Sequence, residues 1–134
     1  MNPRFLLDTH VVIRWLASPK RLSREQTRAL HEALRRREPL AVSAITLLEI
    51  AVLLGGRNAR VNVPVRDLLR ELESNPAFQI EPLTVDVAAE VAALGDALRD
   101  PADRTIVATA RVRKLRLLTS DQRIVDAKLV PTVA

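Results

Sequence analysis

At 134 residues, 48% apolar and 28% charged with three glycines, the chain has the length of one ordinary domain and is too apolar for a disordered one. Lys and Arg outnumber Asp and Glu by 21 to 16, for a formal net charge of +5, and 18 of the 21 cations are Arg; the guanidinium fork suits phosphate, so the excess fits an anionic partner such as nucleic acid and equally a genome rich in Arg codons. The absence of Cys excludes disulfides and thiolate metal sites, and with His10 and His31 as the only imidazoles a metal would have to be held by oxygen.

In chain order, short apolar runs alternate with longer amphipathic ones, the pattern of βα units around a parallel sheet. "RFLL" (4–7) reads as a strand and "THVVIRWL" (9–16) as a short helix stopped by Ser18-Pro19. "SREQTRALHEALRRR" (23–37) is a helix capped by Ser23, and Pro39 separates it from a second strand, "LAV" (40–42). Ser43 caps the next helix, "AITLLEIAVLL" (44–54), read as buried; it is too short to span a bilayer, contains Glu49 and ends at Gly55-Gly56. A loop over 55–64 leads to a helix at 65–74, a strand in "FQIEPL" (78–83), helices at 85–98 and 101–114, and a strand at "RLLT" (116–119). A final strand in "KLVPTV" closes the sheet. No repeat or composition break marks a second domain, so residues 1–134 are expected to form a single domain, and with no signal segment at the start a cytoplasmic location is expected.

The carboxylates need individual explanations. Asp8 and Asp121 each end an apolar strand and precede a helical turn, a position that suits an N-cap and also a ligand site at the carboxyl edge of a parallel sheet. In "LRDPADRTIVATA", Asp100-Pro101 reads as N-cap and N1, which puts Asp103 near N3, on one stripe with Val107 and Ala110 and turned inward. Glu49 stands among Leu47, Leu48, Ile50 and Ala51, where an ionised carboxylate demands either an Arg partner or a metal cation. Taken jointly, Asp8, Asp103 and Asp121 converge on one sheet edge with Glu49 close by. Like charges so placed repel unless a divalent ion shares them, and oxygen-only ligands select Mg²⁺ or Mn²⁺, the ions suited to phosphodiester hydrolysis.

"LLDTH" (6–10), "VSAITLLEIA" (42–51), "RDPADRTIVATA" (99–110) and "LLTSD" (117–121) resemble, in order and spacing, the four acidic motifs of PIN-domain ribonucleases, with the closest likeness to the VapC-type toxins of toxin–antitoxin pairs. The resemblance spans residues 6 to 121. It implies a three-layer α/β/α fold with a mainly parallel central sheet and Mg²⁺- or Mn²⁺-dependent endoribonuclease activity. The family's acidic positions fall on Asp8, Glu49, Asp103 and Asp121, with Thr119 as the hydroxyl supporting the last of them. The implied partners are a structured RNA substrate such as tRNA or rRNA, a small antitoxin that inserts a side chain, often basic, near the acids, and a second copy in a homodimer.

Leu48, Ala102 and Leu98 stand where many relatives carry two aromatic residues and a His. With Phe5, Trp15 and Phe78 as the only aromatics, base stacking contributes little, and recognition would rest on backbone charge and RNA shape. The cationic clusters Arg35 to Arg37 and Arg111, Arg113, Lys114 and Arg116 lie at helix ends and read as solvated faces rather than as RNA contacts. A haloacid-dehalogenase-type phosphatase would need a second Asp two positions after Asp8, where His10 stands, and a receiver domain lacks its acidic pair. A PIN-like module that binds RNA or protein without cutting is the remaining alternative.

Overall fold

The structure is a computed structural model and describes residues 2–56 and 64–134. The loop expected over 55–64 lies mostly outside these. The described chain runs β1 (Phe5–Leu7), α1 (Thr9–Ala17), a 3₁₀ turn (Pro19–Arg21), α2 (Arg24–Arg35), β2 (Leu40–Ser43), α3 (Ala44–Leu54), α4 (Val65–Ser74), β3 (Phe78–Glu81), α5 (Val85–Ala93), α6 (Pro101–Arg113), β4 (Arg116–Leu118), α7 (Gln122–Ala127) and β5 (Thr132–Val133).

The five strands form one sheet in the order β3-β2-β1-β4-β5, and every pairing is parallel. Leu7 pairs with Val42 on one side and Leu118 on the other, so the next residues along the three strands, Asp8, Ser43 and Thr119, emerge together at the carboxyl edge. The chain steps outward from β1 through β2 to β3 and then crosses to the far side of β1 to lay down β4. This reversal creates a crevice between β1 and β4, where open parallel sheets take their ligands.

Side-chain alternation along the strands divides the core in two. Phe5, Leu7, Leu40, Val42 and Leu118 face one side with Val11, Leu30, Ile50, Leu68 and Leu72 from α1 to α4. Leu6, Ala41 and Leu117 face the other with Val87, Leu94, Ile106, Val107 and Ile124 from α5 to α7. This is the expected three-layer α/β/α arrangement, and each fully buried Leu or Ile is worth about 1.5–3 kcal/mol of burial.

Local chemistry sets the element ends. Ser23 and Gln26 form a reciprocal capping box on α2, and Ser43 caps α3 through the Ile45 amide. β3 ends at Glu81, shorter than the run to residue 83, because Pro82 has no amide to give the ladder. α5 ends at Ala93, not 98, because Gly95 adopts φ +74°, and the Arg104 guanidinium donates to the carbonyls of Val91, Gly95 and Leu98, each at 2.6 Å. Lys114, with φ 57°, ends α6.

One sequence reading needs correction. α3 is not a buried helix: only Thr46 and Ile50 are buried, while Leu48, Val52 and Leu53 are 59, 71 and 58% exposed. Uniform hydrophobicity along a helix does not say which side meets the sheet, and α3 meets it along one narrow stripe. Among the described residues no helix is long and apolar enough to cross a membrane.

Candidate active site

Asp8 follows β1 as the N-cap of α1, is 4% exposed, and has both carboxylate oxygens engaged. Oδ1 accepts the Thr9 amide at 2.8 Å, and Oδ2 accepts the Thr119 hydroxyl at 2.6 Å. The capping role and the edge position expected of Asp8 therefore coexist. Thr119, fully buried at the end of β4, also accepts the Asp121 backbone amide at 3.1 Å. Its hydroxyl thus supports the Asp8 carboxylate, whereas Asp121 touches it only through the main chain; the resemblance had implied support of Asp121.

Glu49 projects from the flank of α3 toward the start of α1, where Oε1 accepts the Thr9 hydroxyl at 2.5 Å. With that proton committed to Glu49, the 3.0 Å contact between the Thr9 and Thr46 hydroxyls has Thr46 as donor. Burial, helped by the charges of Asp8 and Asp100 and opposed by the Thr9 hydrogen bond, pushes the Glu49 carboxyl above its ordinary value. Among the described residues the partner of Glu49 is the Thr9 hydroxyl, and no Arg forms an ion pair with it.

On α6, Asp100 accepts the Asp103 amide at 3.0 Å as N-cap, with Pro101 in the first turn, as the sequence predicts. The Asp103 side chain is turned inward and only 15% exposed. Burial first, then the charges of Asp100, Asp8 and Asp121, push its carboxyl up to about 6, with Arg123 opposing. Asp121 caps α7 through the Arg123 amide at 3.0 Å. The Arg123 guanidinium donates to both its oxygens, at 3.2 and 2.8 Å, and holds its carboxyl below the usual range. One guanidinium nitrogen of Arg123 also reaches Asp103 Oδ2 at 3.4 Å.

The four predicted acids are thus strung along the carboxyl edge, each tied to the next by one intervening residue: Glu49 to Asp8 through Thr9, Asp8 to Asp121 through Thr119, and Asp121 to Asp103 through Arg123. His10 braces the middle. Its Nε2 accepts the Ser120 amide at 2.8 Å, which leaves the proton of the neutral ring on Nδ1, 3.4 Å from Asp8 Oδ2. Burial pulls His10 below its ordinary pKa despite the attraction of Asp8, so the ring is neutral near pH 7.

Among the described residues no three carboxylate or imidazole groups converge into a ready-made ligand set. The donor chemistry nevertheless fits a hard divalent cation: oxygen ligands, no thiolate, and two carboxyls pushed above their ordinary values by burial first and then by neighbouring carboxylates. Asp103, at about 6, is still ionised near neutral pH, as a ligand must be.

Sequence reasoning did not single out Thr9, Thr46 or Arg123. Thr46 lies one helical turn before Glu49, a spacing that pairs side chains, and Arg123 lies two residues past Asp121. The cationic clusters behave as solvated faces: Arg36 reaches Glu32 and Glu38, Arg111 reaches Glu90, and Arg113 reaches Glu81.

An open parallel sheet with acids along its carboxyl edge, at the crevice beside its first strand, defines a class of α/β proteins that present negative charge to a cationic ligand there. The PIN domain model matches residues 5–129, and the chain belongs to the PIN domain family. Ribonuclease VapC22 of Mycobacterium tuberculosis is 38% identical over 120 residues, 89% of this chain and 88% of that protein. The structure of FitAcB from Neisseria gonorrhoeae matches with a TM-score of 0.67 at 28% identity, covering 97% of this chain and 96% of that one. VapBC2 from Rickettsia felis, solved with a DNA fragment from its promoter, matches in fold with a TM-score of 0.71 at 15% identity, covering 99 and 98%.

Proposed function

We propose that the protein is a Mg²⁺- or Mn²⁺-dependent endoribonuclease, the toxin of a type II toxin–antitoxin pair, formed by residues 1–134 as a single domain. The observation that carries this reading is the string of four acids at the crevice beside β1, two of which share Arg123 as the ion-pair partner found among the described residues. The likeness to a protein named ribonuclease VapC22 supports RNA as the substrate, and the VapC resemblance supports a small antitoxin and a homodimer as partners.

Asp8, Glu49, Asp103 and Asp121 would hold one or two ions. When bound, such an ion supplies Lewis acidity and positive charge beside the scissile phosphate. The chain's own contribution is orientation: Thr119 and the Thr9 amide fix the two oxygens of Asp8, Thr9 with Thr46 behind it aims Glu49, and the first turn of α6 presents Asp103. Incubating the purified protein with total RNA, with and without EDTA and beside an Asp8→Asn variant, tests the reading. Cutting by the untreated wild type alone supports it. Equal cutting in all three overturns it, and tight RNA binding with no cutting under any metal assigns a non-catalytic binding module instead.

A further inference from the structure

Among the described residues Arg123 is the cation that pairs with the acids of the edge. Its guanidinium lies across Asp121, with Nε 3.2 Å from Oδ1 and Nη2 2.8 Å from Oδ2, and the same Nη2 is 3.4 Å from Asp103 Oδ2. The two carboxylates are largely enclosed, 20 and 15% exposed, while the Arg123 side chain is 73% exposed. Among the described residues no other Lys or Arg forms an ion pair with any of the four acids. Arg104, on the same turn as Asp103, is committed to the carbonyls of Val91, Gly95 and Leu98.

We propose that Arg123 is an exchangeable internal counter-ion: it neutralises Asp103 and Asp121 in the metal-free protein, yields them to the divalent ion, and then grips a phosphate of the RNA. The inference rests on the metal-dependent nuclease reading and assigns a residue to substrate binding that the four acids do not cover. An exposed ion pair contributes little and is easily displaced, whereas a divalent ion concentrates twice the charge on hard oxygen ligands. Tethered beside the acids by the first turn of α7, the released fork matches the paired oxygens of a phosphodiester. Metal and RNA binding then reinforce one another, and by linkage RNA raises metal affinity by the factor by which metal raises RNA affinity.

The test measures Mn²⁺ binding by calorimetry, and binding of a 2′-O-methylated RNA oligomer with and without Mn²⁺, for the wild type, Arg123→Ala and Arg99→Ala. Arg99 carries the same charge one residue before Asp100 without an ion pair to the four acids. Arg123→Ala is expected to tighten Mn²⁺ alone by roughly 2- to 5-fold, since a weak competitor has gone. It should also weaken the RNA oligomer only when Mn²⁺ is present, with the salt slope reduced by about 1. Unchanged or weaker Mn²⁺ binding, equal tightening in Arg99→Ala, or an RNA loss that is the same without metal would each overturn the exchange while leaving the nuclease reading intact. A wild type that binds no Mn²⁺ would overturn both.

Discussion

Two groups of enclosed carboxylates in this molecule are handled in opposite ways. Outside the string of four acids, Glu81, the last residue of β3, is 3% exposed, with Oε1 accepting from Gln79 at 2.8 Å and Oε2 from Arg113 at 2.9 Å. Glu38, 7% exposed, takes Arg4 at 2.6 Å and Arg36 at 3.8 Å. Each of these acids has at least one Arg within ion-pair distance. At the edge, Asp103 and Asp121 share one exposed arginine, while Asp8 and Glu49 rely on hydroxyls, a backbone amide and a neutral imidazole. Burial of a carboxylate therefore does not single out a site in this fold; a local shortage of cations does. Of a chain with 21 Lys and Arg, the described residues bring only Arg123 into an ion pair with the four acids.

The sharpest way to break this contrast is to neutralise one acid on each side of it. Asp8→Asn is expected to lower metal-dependent RNA cleavage by about 100-fold or more while the melting temperature holds or rises. Cleavage at the wild-type rate would place Asp8 with the structural acids. Glu81→Ala should do the reverse. Losing the half-exposed Arg113 partner costs about 1 kcal/mol, or roughly 4 °C in thermal melts, and cleavage per folded molecule should be unchanged.

Metal sharpens the comparison further. Near pH 7.5, Mn²⁺ at about 100 times its dissociation constant should stabilise the protein by about 2.7 kcal/mol, measurable by differential scanning calorimetry. Near pH 5 about half of that gain should vanish, because Asp103, pushed up to about 6, must then give up a proton to bind the ion, which weakens binding about 10-fold. Glu81→Gln should show the same metal response as the wild type.

The smallest expected effect concerns Asp103 without metal. Its folded pKa of about 6 lies above the ordinary 3.8, so the folded state holds the proton more tightly, and that stabilisation is complete below 3.8 and lost as pH rises through about 6. Wild type should therefore lose stability across this window relative to Asp103→Asn. Solvent screening limits the difference to about 1 kcal/mol in chemical denaturation. A flat difference curve would mean that the edge charges do not reach Asp103.

Much of this arrangement was legible in the sequence because it is local. An apolar run that stops on Asp places a carboxylate at a strand end whatever the rest of the chain does, and Asp103 shares its stripe with Val107 and Ala110, both fully buried. Glu49 stood out as a charge among apolar residues. The premise of a buried helix did not hold: α3 exposes Leu48, Val52 and Leu53, and the observed partner of Glu49 is a neutral hydroxyl, that of Thr9 from another element. Thr9 and Thr46 escaped notice because their contacts are chosen by topology across 40 and 37 positions, a separation at which spacing in the sequence carries no signal, and so is the reach of Arg123 to Asp103 across 20, although its closer partner Asp121 lies two residues away. Helix and strand ends failed where a single backbone property decided them, as at Pro82 and Gly95.

The bond from Thr119 to Asp8 joins residues 111 positions apart. On a ribosome, a growing chain can present β1 and its helices long before β4 emerges, but the crevice between β1 and β4 has only one wall until then. The acidic edge is therefore assembled only once β4 has been made, and a nascent chain that stops short of it lacks the Thr119 brace of Asp8.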